Sequence, residues 1–303
     1  MYLPRVKLAR VLSAIGRTMI TAGVLILLFV AYQLWGTGIR EAQAQSRLDK
    51  ELAQKLADAP TITAPPSTTT PGTLPPATAP PLAEAPQAGD PIGRLEIGKI
   101  GLNAVVVEGV GVDDLKDGPG HYPDTPMPGQ KGNAAIAGHR TTYGAPFASV
   151  DELVPGDTIQ VTTVQGRFTY AVIAQEDGSG HLIVSPDQVE VLNDVNDNRI
   201  TLTACHPKYS ASQRIIVVGV LQGEALPAPP IKPHPVDLGI SGEQVPKLPA
   251  ILWGLVCAAI WIGAWLLGKK WKRWPSYALA SPVFLVALFF FFENFSRLLP
   301  ANY

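Results

Sequence analysis

Three polar residues lie at the ends of apolar or β-branched segments, where strand packing does not require them. Cys205 ends the segment RITLTAC, two residues before Pro207, and proline cannot continue a central strand. His139 closes the apolar segment NAAIAG, and Arg214 stands near the start of the segment QRIIVVG, nine residues after Cys205. A single loop can therefore bring the guanidinium of Arg214 back beside the sulfur of Cys205.

These three residue types suit acyl transfer through a thioester. A thiolate is a strong nucleophile, but a free cysteine titrates near 8.5, so it reacts well at neutral pH only when a neighbour favours the ionised form. An imidazolium such as that of His139 can do so, and it can also protonate a departing amine. Arg214 cannot act as an acid, but its fixed donors suit a developing oxyanion.

Two further residues invite confusion with this set. His206 adjoins Cys205, but neighbouring side chains in an extended segment point to opposite faces, so we assign His206 a structural role. Cys257, the second cysteine of the chain, lies inside a long apolar segment and is interpreted as apolar filler. The sequence therefore predicts no disulfide framework, and Cys205 remains a lone thiol.

The segment that carries the three residues, 91–224, has the pattern of a small β domain. Short runs rich in Val, Ile and Thr alternate with turns rich in Gly, Pro and Asp. The candidate strands are 94–100, 104–108, 133–138, 158–164, 167–174, 181–184, 199–204 and 213–221. The pattern predicts an all-β barrel or sandwich with one core.

The charge of this domain argues against nucleic acid as a partner. Residues 91–224 contain 9 Lys and Arg and 16 Asp and Glu, a balance of 9 − 16 = −7. Nucleic-acid binding depends on neutralising phosphates with basic residues. The sequence has no Cys/His spacing typical of zinc sites and no glycine-rich phosphate loop, so we expect neither a metal nor a cofactor.

Three segments without Asp, Glu, Lys or Arg predict transmembrane helices, at 18–39, 248–268 and 274–292. Basic residues precede the first segment and fill the connection at 269–273, and basic loops are retained on the cytoplasmic side. The β domain and the tail 293–303 are therefore expected outside a multi-pass plasma-membrane protein. The rival interpretation of the N-terminus is a cleaved signal peptide, since Ala42-Gln43-Ala44 resembles a cleavage site; the long apolar segment favours an uncleaved anchor.

The remaining segments are interpreted as connections. Residues 1–17 form a cytoplasmic N-terminus, and 40–58 are rich in good helix formers and predict a stalk helix. Residues 59–90 and 225–247 are rich in proline and predict extended linkers, the first able to hold the β domain clear of the membrane.

Two segments of the β domain resemble the signature regions of sortases. They are TLTACHPKYSASQR, from Thr201 to Arg214, and GNAAIAGHRTTYGAPF, from Gly132 to Phe147; the second is most similar to the class E sortases of actinobacteria. The resemblance covers roughly 91–224 and implies an eight-stranded sortase-type β-barrel.

The resemblance also implies roles for individual residues. The family's catalytic cysteine, histidine and arginine fall on Cys205, His139 and Arg214. Its Thr-Leu-x-Thr-Cys motif is matched at Thr201 and Leu202, with Ala204 in place of the second threonine. Together with Tyr122, these three positions are the candidate substrate-binding residues: Thr201, Leu202, Ala204.

Tyr122 belongs to the segment Gly120-His-Tyr-Pro123, which is similar to a segment of class E members. There the tyrosine is associated with a preference for Leu-Ala-x-Thr-Gly over Leu-Pro-x-Thr-Gly signals. The alternative interpretation of Tyr122 is an aromatic residue that packs at the rim of the barrel.

The function implied by the resemblance is transpeptidation at a Gram-positive cell surface. An exported protein with a C-terminal sorting signal would be cleaved between Thr and Gly and joined to the amine of a lipid-linked peptidoglycan precursor. Two alternatives remain open: a membrane-anchored cysteine peptidase that uses water as acceptor, and a non-catalytic surface scaffold.

Overall fold

The computed structural model describes residues 5–59, 86–229, 247–270, 273–296 and 298, which form two units. One unit comprises the chain up to Gly36 and the C-terminal helices, and the other extends from Thr37 through the β domain. Most of the two predicted linkers, the first four residues and most of the C-terminal tail lie outside the described residues.

Within the described residues the β domain contains nine strands. In chain order they are β1 (Pro91–Ile97), β2 (Leu102–Glu108), β3 (Gly120–His121), β4 (Asn133–Ala137), β5 (Thr158–Thr163), β6 (Gly166–Val172), β7 (Leu182–Val184), β8 (Arg199–His206) and β9 (Gln213–Leu221). They are hydrogen-bonded in the order β6-β5-β1-β2-β3-β4-β8-β9, and β9 pairs back to β6. This ring is a closed barrel of eight strands, which confirms the predicted fold class.

The ring does not consist of the eight predicted strands. Each candidate strand is present, but β3 is an additional two-residue strand that links β2 to β4 and completes the ring. β7, which corresponds to the candidate strand 181–184, pairs instead with the first half of β9 and is not one of the eight.

Alternation along β8 separates the core from the site. Ile200, Leu202 and Ala204 are buried in the main hydrophobic cluster inside the barrel. Because successive strand residues point to opposite faces, Thr203 and Cys205 lie on the outer face. Full burial of a Leu or Ile side chain contributes about 1.5–3 kcal/mol, so the inward set fixes the register and thereby the outward set.

Helix α2 (Thr37–Asp58) packs against the barrel. Leu48 and Leu52, which are fully buried, form a cluster with Val105 and Val107 of β2. Their spacing places them on one face of the helix. A helix thus covers the residues of the predicted stalk, and this helix is docked on the β domain.

Polar contacts extend this docking. Gln45 Nε2 donates to the carbonyl of Val105 at 3.0 Å, and the Val105 N–H donates to Gln45 Oε1 at 2.7 Å. Arg47 Nη2 pairs with Asp117 at 3.1 Å, and Arg94 of β1 pairs with Asp49.

The other unit is helical. It contains α1 (Arg5–Ala31), a π-helical turn (Tyr32–Gly36), α3 (Leu248–Lys270) and α4 (Arg273–Ser296). Within the described residues, three helices are long and apolar enough to cross a membrane, namely Val11–Asp58, Leu248–Lys270 and Trp274–Ser296. The first combines α1 and α2, and its apolar part lies before Thr37, where the barrel unit begins.

An apolar cluster joins the three helices of this unit. Tyr32 and Phe292 have ring centroids 5.9 Å apart, and Cys257 of α3 is buried in the same cluster. Cys257 therefore packs as a small apolar side chain, as its position in the sequence indicated.

Candidate active site

Cys205 and Arg214 are direct cross-strand partners. The antiparallel register of β8 and β9 places them opposite each other, so their side chains share the outer face of the barrel. Arg214 is partly exposed, and its Nη1 donates to the carbonyls of Ala211 at 3.0 Å and Gln213 at 3.1 Å. These bonds hold the guanidinium at one end of a groove on the outer face of the barrel.

His139 approaches β8 from its other side. β4 and β8 are parallel, with Ala137 opposite Thr203, and the Gly138 N–H donates to the Thr203 carbonyl at 3.0 Å. His139 follows two residues after Ala137, just as Cys205 follows two residues after Thr203. His139, just after β4, and Arg214, on β9, thus come from the two strands that neighbour β8, near the end of β8 that carries Cys205.

Arg140 is a site residue to which the sequence analysis gave no role. Its buried guanidinium has Nη1 3.4 Å from the Cys205 carbonyl oxygen and 3.4 Å from His206 Nδ1. Nη2 lies 2.7 Å from Asp151 Oδ1. The available signal was its position directly after His139, and the unforeseen part was its burial against the end of β8.

Burial and charge act on the same groups in this cluster. Burial raises the pKa of the Cys205 thiol, and the charges of Arg214 and Arg140 oppose this rise. Partial burial acts to raise the pKa of Asp151, but its bond to Arg140 and the charge of Arg140 hold that pKa below its usual range. Burial lowers the pKa of His206, and the charge of Arg140 lowers it further. His206 is therefore disfavoured as a cation.

A groove on the outer face of the barrel leads to Arg214. Tyr122 and Thr203 line it near Arg214, and Val184, Val189 and Ile216 supply apolar walls. The hydroxyls of Tyr122 and Thr203 share a hydrogen bond of 3.2 Å. Burial raises the pKa of Tyr122 despite this bond, so the phenol stays neutral.

A buried polar network holds the segment that carries Tyr122. His121 Nδ1 lies 2.9 Å from Glu108 Oε2, and its Nε2 lies 3.0 Å from the Pro126 carbonyl oxygen. Thr125 Oγ1 donates to the Tyr122 carbonyl at 2.8 Å. His121 thus has a structural role, and its effect on the groove passes through Tyr122.

The other candidate substrate-binding residues do not reach the groove. Leu202 and Ala204 point into the barrel core and are almost fully buried. Thr201 is also buried, and its hydroxyl donates to Asn133 Oδ1 at 2.7 Å. Of the four candidates, the structure brings only Tyr122 to the groove. Leu202 and Ala204 point into the barrel, and Thr201, on the outer face, is engaged with Asn133.

The β domain is similar to known proteins along most of its length. The sortase domain family matches residues 95–222. Sortase SrtE1 of Streptomyces coelicolor is 34% identical over 228 residues, covering 70% of this chain and 57% of that protein. Sortase SrtE2 of the same organism is 31% identical over 230 residues, covering 70% of this chain and 83% of that protein. The chain thus spans little more than half the length of SrtE1.

Solved structures of sortases share part of this sequence. Sortase E from Streptomyces avermitilis is 35% identical, with 45% of this chain and 91% of that chain covered and a TM-score of 0.40. Sortase E1 from Streptomyces coelicolor with a tripeptide in the active site is 33% identical, with 46% and 93% covered and a TM-score of 0.41. By its matched domain and by its identity to SrtE2 over most of that protein, the chain belongs to the sortase family and is similar to its class E members.

Proposed function

We propose that the chain is a cysteine transpeptidase that cleaves a Leu-Ala/Pro-x-Thr-Gly-type sorting signal between Thr and Gly. The observation that carries the proposal is the position of Cys205 on the outer face of β8, with Arg214 opposite it on β9. His139 follows β4 on the other side of the same strand. A substrate in the groove would present its scissile carbonyl to the sulfur between these two side chains.

The proposed first half-reaction forms a thioester. The Cys205 proton passes to His139, and the sulfur attacks the threonine carbonyl carbon. Arg214 Nη1 is engaged with two backbone carbonyls, which leaves Nε and Nη2 as the donors for the oxyanion. His139 then gives its proton to the glycine nitrogen as the Thr–Gly bond breaks.

The second half-reaction reverses these roles. His139 accepts a proton from an incoming amine, and the amine nitrogen attacks the thioester carbonyl carbon. The C–S bond then breaks to give a new amide, and His139 returns the proton to the Cys205 sulfur. We infer that the amine belongs to a lipid-linked peptidoglycan precursor and that the first substrate is an exported protein with a C-terminal sorting signal. Three apolar helices would hold the enzyme at the membrane that carries both.

Burial of Cys205 bears on the resting state in this mechanism. Because burial raises the thiol's pKa, the thiol form predominates at neutral pH and only a minor fraction holds the thiolate. A minor reactive population protects an exported thiol against oxidation between turnovers.

Tyr122, at the groove wall, is the residue proposed to influence the choice between Ala and Pro in the signal.

The test uses the full chain in detergent with Leu-Ala-x-Thr-Gly and Leu-Pro-x-Thr-Gly peptides, with and without diglycine. Mass spectrometry should find cleavage after Thr, an acyl-enzyme on the intact protein, and diversion of product from acid to amide by diglycine. Cys205→Ala should lose all three, and Cys257→Ala should keep them. Cleavage that survives Cys205→Ala would exclude the proposal, and acid product alone at saturating diglycine would identify a peptidase.

A further inference from the structure

The loop that follows β4 carries His139 and contains an unusual backbone conformation. Tyr143, Gly144 and Ala145 have φ of 48°, 72° and 46°. Left-handed conformations are disfavoured for residues with a Cβ and persist where surrounding structure holds them. The ring of Tyr143 lies against His139, with centroids 5.2 Å apart. The backbone conformation at Tyr143 therefore affects the position of the His139 imidazole.

The first turns of α2 hold this loop. The Tyr143 N–H donates to Thr37 Oγ1 at 3.1 Å, in a buried position. Gly144 lies directly against the carboxylate of Glu41, because a Cβ at residue 144 would come within 2.5 Å of Glu41 Oε2. Gly144 is thus required both for its positive φ and for this close approach.

The contacts farther along α2 make it a fixed support. Leu48 and Leu52 are buried against β2, and Gln45 bonds to both backbone groups of Val105. A helix docked in this way cannot move its first turns without disturbing these contacts. The loop with His139 therefore lies between two fixed elements, β4 and α2.

We propose that Thr37 and Glu41 of α2 are positioning residues, which act through Tyr143 and Gly144 to hold His139 in place beside Cys205. This inference rests on the proposed function, in which His139 exchanges protons with Cys205 and the substrate amines. It makes the helix that follows the first membrane segment a part of the active-site support. The residues touch neither substrate nor sulfur in this proposal, so their loss should affect turnover more than peptide binding.

The first test compares two threonines that make the same kind of bond. Thr163 Oγ1, also buried, accepts a hydrogen bond from the Gln165 N–H at 3.1 Å in the β5–β6 turn. Thr37→Val and Thr163→Val therefore each leave a buried N–H without its acceptor, at a similar cost in stability. In the full chain carrying Cys257→Ala, Thr37→Val should lower kcat several-fold at unchanged KM, and Thr163→Val should not.

A second readout needs no substrate. The rate of Cys205 alkylation by iodoacetamide, measured against pH, reports the fraction of the sulfur that is ionised, which depends on its neighbours. Thr37→Val should change this profile, and Thr163→Val should reproduce that of the parent. If the parent chain turned over no peptide, the proposed function would fail while the alkylation profile still tested the positioning role. Identical profiles for Thr37→Val and the parent would overturn the inference.

The contact at Glu41 is tested by a double-mutant cycle with a glycine control. Gly156 has φ of 94° and open space around it, so Gly156→Ala causes backbone strain alone. Gly144→Ala adds a collision with Glu41 and should lower kcat more than Gly156→Ala does. Combining Gly144→Ala with Glu41→Ala should cost less than the sum of the two single effects. Strictly additive effects would show that the two residues do not act through one contact.

Discussion

At the scale of single residues, Cys205 experiences two opposing influences. Its burial raises the thiol's pKa, and the two arginines lower it, Arg214 more than Arg140. Arg214 lies opposite Cys205 on the paired strand, whereas Arg140 is buried against the end of β8 and also contacts His206. We expect the reactivity of the thiol to depend on both charges, although only Arg214 faces the groove.

The charge of Arg140 can be tested by alkylation. Removing a positive charge that lowers the pKa of Cys205 must raise that pKa, so Arg140→Gln should move the pH profile of Cys205 alkylation to higher pH. The rate at neutral pH should fall several-fold. Arg140→Lys keeps the charge and should retain most of the rate.

The control for this change is an arginine at the other end of the same strand. Arg199 begins β8 and pairs with Asp197, far along the strand from Cys205. Arg199→Gln in the same Cys257→Ala background should leave the profile unaltered. An unmoved profile in Arg140→Gln would mean that its charge does not reach the sulfur.

The sequence indicated Cys205, His139 and Arg214 as candidate site residues because each stands at or near a strand end, and their catalytic roles stay predictions. The alternation of side chains along β8 was not applied to the candidate substrate-binding residues. The same alternation that turns His206 away from Cys205 also places Leu202 and Ala204 in the barrel core. The role of Arg140 depends on long-range packing against β8, which no local pattern contains.

At the scale of elements, the long strands follow from their composition, but the ring they form does not. β3 has two residues, too few to show any periodicity in the sequence, and it forms by pairing with β2 on one side and β4 on the other. The helix of residues 37–58 was evident from its helix-forming residues, whereas its docking depends on β2, more than fifty residues away in sequence.

The docking of α2 should depend on pH through Glu41. Burial, together with the nearby charge of Asp117, raises the pKa of Glu41 from 4.5 to about 7. Asp117 also faces Arg40 at 3.9 Å and Arg47 at 3.1 Å on the same helix. Because the folded pKa lies above the unfolded value, the contribution to stability is complete below about 4.5 and is lost as pH rises through about 7.

Glu41→Gln removes this titration. The Tm of the parent minus that of Glu41→Gln should therefore decrease between pH 5 and pH 8, as followed by differential scanning calorimetry of the full chain. Glu51→Gln, an exposed carboxylate on the same helix, is the matched control and should keep the parent's pH dependence. Parallel curves for the parent and Glu41→Gln would show that Glu41 does not titrate in this range.

At the scale of the whole molecule, long uncharged segments made three helices long and apolar enough to cross a membrane predictable from sequence. The boundaries are less predictable, because Thr37 lies in the predicted span and yet bonds to Tyr143 of the β domain. Arg40 is the first charged residue after this helix leaves its apolar part. We infer that the first span ends before Thr37, so that the apolar part of α1 and the π-helical turn cross the membrane.

The proposed topology places the α3–α4 connection inside the cell and both the barrel and the end of α4 outside, because basic residues flank that connection. Single cysteines in a chain carrying Cys205→Ala and Cys257→Ala can test it with a membrane-impermeant maleimide on intact cells. Tyr209→Cys, at a barrel residue that is 75% exposed, should be labelled and reports the outside. Ser296→Cys should also be labelled, and Lys270→Cys should react only after permeabilisation. Labelling of Lys270→Cys in intact cells would show that the C-terminal helices have the opposite orientation. The barrel would then have no second tether on the outer side of the membrane.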